Sequence, residues 1–66
     1  MTIQVTRGNN TFLYRQREDE PNVIESKPNY RGSRWQFLRR YADADEARAA
    51  LLTIAKDAGK PDGNPL

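Results

Sequence analysis

Between Arg34 and Gly59 a strand pattern runs straight into a helix pattern, and few small folds accommodate that join. Trp35, Phe37 and Tyr41 occupy alternate positions of an extended run from Arg34 to Tyr41, so a regular strand places them on one face. Asp43 then reads as a helix N-cap, with Glu46 three positions on completing a capping-box pattern and Asp45 at the positive end of the helix dipole. Ala44, Ala47, Ala50, Leu51, Ile54, Ala55 and Ala58 fall on one helical stripe, and Gly59 stops it. Alanine permits close approach to a sheet. The expected core is therefore the aromatic face of this strand lying under the helix, with Trp35 at its centre because a small core needs one large ring.

The upstream chain supplies material to complete that core. Thr2 to Arg7 alternates in the β manner, with Ile3 and Val5 on one face. Gly8-Asn9-Asn10 marks a tight turn, and Thr11 to Arg17 is again strand-like, with Phe12 and Tyr14 on one side and Leu13, Arg15 and Arg17 on the other. A two-residue turn sets Ile3 and Val5 against Phe12 and Tyr14, whereas a three-residue loop sets Val5 against Leu13 and Ile3 against Arg15. The first register gathers four apolar side chains and is preferred. Glu18-Asp19-Glu20-Pro21-Asn22 breaks the strand. Val23-Ile24 either extends the sheet briefly or pins a loop to the core edge, and Lys27 to Ser33 has the Pro, Asn and Gly of an irregular connection, with Tyr30 its notable residue. The expected fold is α+β: a three-stranded antiparallel meander with one C-terminal helix packed on one face. One domain spans residues 1–58, and residues 59–66, with two prolines, form a flexible tail.

Composition narrows the function classes. A chain of 66 residues holds one domain and buries only about 60% of the surface its unfolded form exposes. Cysteine and histidine are both absent, which removes disulfides, thiolate ligands, thiol catalysis, the commonest general base and the commonest metal ligand. The cysteine-free composition fits a reducing compartment, with the cytoplasm as default. No apolar run reaches the roughly 18 residues of a membrane span, and the N-terminal residues lack a signal-peptide pattern, so a soluble, unprocessed chain is expected.

Arginine makes up eight of the eleven cations, and its planar fork suits bidentate contact with carboxylates and phosphates. By strand alternation the uncovered sheet face displays Leu13, Arg15, Arg17, Arg34, Gln36, Leu38 and Arg40. An open antiparallel sheet has a polar face without any function, but four arginines exceed that expectation. Arg39 falls on the aromatic side and reaches the rim, its stem packed and its head in solvent or on a helix acid.

Three readings compete, two of them binding modes of this face and the third catalysis. The preferred one is a non-catalytic module that binds a protein with an acidic surface through Arg15, Arg17, Arg34, Arg40 and Tyr30 around Leu13 and Leu38. The alternative is nonspecific nucleic-acid binding, with the same arginines on phosphates. Against it, the alternation hides the rings a stacking platform exposes, and Glu18 to Glu20 repel phosphate if they fold beside the sheet. Self-association through Leu52 at the margin of the helix stripe is a third partner mode.

Catalysis lacks its parts. Asp43, Asp45 and Glu46 are explained by capping, Glu18-Asp19-Glu20 lacks the spacing of a calcium loop, and the glycines are isolated. No catalytic residue, cofactor or metal is expected, and no membrane partner. In size and composition the chain is similar in style to small phage-type inhibitors of host nucleic-acid machinery, which points to an inhibitor or accessory subunit.

Overall fold

A computed structural model describes residues 2–57; the tail expected at 59–66, and the Ala58-Gly59 helix end, lie outside the described residues. The chain forms strands β1 (Thr2–Arg7), β2 (Asn10–Gln16), β3 (Val23–Pro28) and β4 (Gln36–Arg40), followed by helix α1 (Ala44–Asp57). The strands make one antiparallel sheet in the order β1-β2-β3-β4, and α1 packs across β1, β2 and β3. The architecture is α+β with a C-terminal helix, but the sheet has four strands, not the expected three.

The first hairpin closes through Gly8 and Asn9, with Arg7 opposite Asn10. Gly8 has φ +59°, a left-handed backbone that a two-residue hairpin favours and that a Cβ penalises. That turn sets Val5 against Phe12 and Ile3 against Tyr14, the register that gathers the apolar residues.

The missed strand is β3. Val23 and Ile24 begin it and are both fully buried, although they point to opposite faces. Neighbouring residues buried on both sides erase the period-2 signal, and the rest of the strand, Glu25-Ser26-Lys27-Pro28, is polar. The structure pairs this polar segment centrally. Glu25 lies opposite Arg15, and Lys27 opposite Leu13.

Ile24, Ala47 and Leu51 form the buried cluster, with Ile3, Tyr14 and Tyr41 packed against it. The alanine-rich stripe thus meets aliphatic residues and two tyrosines, not Trp35. Asp43 caps the helix as its sequence indicates: its Oδ1 accepts the Glu46 N–H at 2.8 Å, and its carbonyl accepts from Ala47 N at 3.1 Å. Gln16 adds a tie that its sequence position did not suggest. Its Nε2 donates to the Pro21 carbonyl at 2.9 Å and to the Ala44 carbonyl at 3.1 Å, fastening the first helical turn to the end of β2.

Candidate functional site

The site is set by a break in alternation. Along β3 and β4, Val23 pairs with Arg40 and Ile24 with Arg39, but Glu25 pairs with Phe37 and Ser26 with Gln36. Leu38 is the extra residue of a β-bulge, and one inserted residue reverses the facing of everything upstream of it. Downstream, Arg39 and Tyr41 keep the helix side. Upstream, Phe37 and Trp35 move to the open side of the sheet.

The expectation that Trp35 and Phe37 lie beneath the helix is therefore corrected. Phe37 is 61% exposed. Trp35 is half-buried among open-face side chains: the Arg15 guanidinium lies 4.0 Å from the centre of its ring and the Lys27 ammonium 5.0 Å. Large apolar rings and cations share this surface.

The predicted contact residues divide between the open face and the adjoining loop. Arg15, Arg17, Arg40 and Leu13 are on the open face, where Arg17 donates its backbone N–H to the Val23 carbonyl at 2.8 Å and so continues the row Arg17, Val23, Arg40 across three strand lines. Leu38, 46% exposed, sits at the bulge. Arg34 precedes β4 as an exposed loop residue, and Gln36, expected on the open face, pairs with Ser26 on the helix side. Tyr30 is 66% exposed in the loop between β3 and β4, and Gly32 in the same loop has φ +86°. Arg39 lies at the rim as expected, its guanidinium 5.6 Å from the centre of the Tyr41 ring.

The face is less basic than its arginines imply. Arg15 bonds Glu25 at 3.5 Å, Arg17 meets Asp19 at 3.1 Å and Glu20 at 3.7 Å, and Arg40 donates to the other oxygen of Glu20. Glu20 thus joins the two guanidinium groups that flank the buried Val23. Glu25 is itself 7% exposed, a carboxylate sheltered in mid-sheet by the Arg15 it neutralises. Sequence alone could have suggested the 15–25 pair only after β3 was placed.

Between these groups runs a shallow groove of about 390 Å³ lined by Arg15, Arg17, Glu18, Asp19, Glu25, Trp35 and Phe37. Its walls alternate acid, base and ring. No group of acids among the described residues is placed to hold a metal ion, and no helix among them is long and apolar enough to cross a membrane.

These features define a class: a small α+β domain whose four-stranded sheet is covered on one face and presents rings framed by internally paired charges on the other. No family model, curated protein or solved structure matches the chain.

Proposed function

We propose that the chain is a non-catalytic protein-binding module whose contact surface is the open sheet face centred on Trp35 and Phe37. The observation that carries this reading is the exposed Phe37 ring beside Trp35 in a surface where Arg15, Arg17 and Arg40 are already matched by Glu25, Asp19 and Glu20. Rings and arginine favour the energetic centre of protein interfaces, and pre-paired charges give such a surface polar specificity without strong attraction to any one sign. Arg15, Arg17, Arg40 and Leu13 surround the rings, and Tyr30 and Arg34 extend the surface along the adjoining loop. A binder of this kind acts by occupying its target, as an inhibitor or accessory subunit, and the cytoplasm is the compartment that suits its cysteine-free composition.

A specific observation also keeps nucleic acid in play, because Trp35 and Phe37 stand on the open face where bases could stack. The acids weigh against it. Glu18, Asp19 and Glu25 line the same groove and oppose a phosphate backbone.

The test is affinity capture with tagged wild-type protein, with Phe37→Asp, and with Leu52→Asp as a control on the exposed helix surface. A directly bound protein should be identified, lose at least tenfold in affinity to the Phe37 variant and be retained by the Leu52 variant. Retention by Phe37→Asp would refute the face. Steeply salt-dependent binding of a single-stranded DNA of about 30 nucleotides, measured between about 50 and 200 mM salt, would favour the nucleic-acid reading instead.

A further inference from the structure

Among the described residues β4 ends the sheet, paired only with β3, and all five of its residues are exposed. Its outer side carries backbone donors and acceptors that none of the other described strands satisfies, which is the template that strand addition uses. Among the described residues α1 packs chiefly on the other three strands.

The charge along that edge has one sign. From Arg31 to Arg40 the chain holds Arg31, Arg34, Arg39 and Arg40 and no acid. Among the described residues Arg31, Arg34 and Arg39 make no ion pair, whereas Arg40 shares Glu20 with Arg17. The cations lie towards the two ends, and between them are the exposed apolar residues Phe37 and Leu38. The opposite edge differs: the apolar residues of β1, Ile3 and Val5, are on its helix-covered side, and its exposed residues before Arg7 are Thr2, Gln4 and Thr6.

We propose that β4 accepts an extended acidic segment of a partner protein as a fifth strand. The inference rests on the protein-binding reading above and names the partner's chemistry. β4 is about 17 Å long at the usual strand rise, so the segment spans about five residues. An acidic side chain at one end of the segment meets Arg39, one that reaches past the start of β4 faces Arg34, and an apolar residue between them covers Phe37. A second copy of this chain is a poor occupant, because two β4 strands side by side concentrate guanidinium groups in one ribbon. The bulge at Leu38 also discourages indiscriminate edge pairing, so charge and the Phe37 contact must select the segment together.

The probe is a synthetic, end-blocked peptide, Glu-Asp-Val-Ile-Val-Asp-Glu, compared with a version in which lysine replaces every acid. Backbone amide exchange of the full chain is followed by NMR with each peptide. The acidic peptide should slow exchange in Gln36–Arg40 and leave β1 unchanged, the lysine peptide should bind at least tenfold more weakly, and Arg39→Glu should weaken the acidic peptide about tenfold. Equal response to both peptides, slowed exchange in β1 instead of β4, or no response to the acidic peptide at about 1 mM overturns the inference. So does β4 protection that rises with protein concentration without peptide, which would make a second copy the occupant. Shifts at Trp35 and Phe37 without β4 protection overturn the added strand but leave the open-face reading standing, which the capture experiment decides separately.

Discussion

Deleting Leu38 tests the bulge directly. If Leu38 is the one unpaired residue, its removal leaves Phe37 opposite Glu25 and Arg39 opposite Ile24 in an uninterrupted ladder. Trp35 keeps its place beside Arg15, and Tyr41 keeps its place against the core. The cost is the buried part of one side chain that is already 46% exposed. Full burial of leucine contributes about 1.5–3 kcal/mol, so roughly half of that, about 1 kcal/mol, is lost. Against it stands the backbone entropy of ordering one residue, about 1–2 kcal/mol, which the shorter chain no longer spends. The two nearly cancel, and the deletion should change stability by no more than about 1 kcal/mol, or about 4–8 °C in Tm for a domain of this size. A regular β4 gives the opposite result, since deletion would then turn either the Trp35 end or the Tyr41 end to the wrong face. Urea unfolding followed by circular dichroism and by the fluorescence of Trp35, the chain's one tryptophan, measures both stability and environment. A loss above about 3 kcal/mol, the scale of removing an aromatic side chain from a core, or a shifted Trp35 emission in the folded state, would refute the bulge-based facing.

Three further perturbations bear on the frame that holds the site. Asp43→Ala removes the acceptor for the Glu46 N–H and should cost about 1 kcal/mol, read as a lower urea midpoint with unchanged slope. Leu51→Ala, at a fully buried position, should cost about 2–5 kcal/mol and leave so small a domain largely unfolded, whereas Leu52→Ala, one residue away and 49% exposed, should stay within about 1 kcal/mol; similar losses for both would contradict the orientation of α1. Gly8→Ala meets no neighbouring atom within 4 Å, so its expected cost of about 1 kcal/mol comes from the backbone at φ +59° alone, and an unchanged thermal midpoint would show that the turn adopts another conformation.

The sequence is most informative where one rule governs several consecutive residues. The first hairpin, the Asp43 cap and the alanine stripe follow from turn length, capping chemistry and helical period, and each is found where those rules place it as far as the described residues reach. β3 escaped because its buried residues are adjacent and its central Glu25 is polar. Among the described residues that carboxylate is paired with Arg15, ten residues earlier on β2. The facing of Trp35 and Phe37 escaped for a different reason. Alternation was sound on each side of Leu38, but bulges carry no reliable composition signal, and a single extra residue moved two rings from the expected core to the open face. Pairing of Arg17 and Arg40 through Glu20 depends on how the 17–22 turn folds back, so a count of arginines overstated the free positive charge.

The uneven reach of α1 also divides the molecule mechanically. β4 is fastened through its ladder with β3, the Arg40–Glu20 contact and the Asn22–Tyr41 bonds at its end, where Tyr41 N donates to the Asn22 carbonyl at 2.8 Å and Asn22 Nδ2 to the Tyr41 carbonyl at 3.2 Å. Sub-global opening below the free energy of complete unfolding is expected first in segments with few buried contacts, which sets β4 apart from the strands under α1. Reshaping this outer strand should therefore disturb the helix-covered part of the sheet less than reshaping a strand beneath α1.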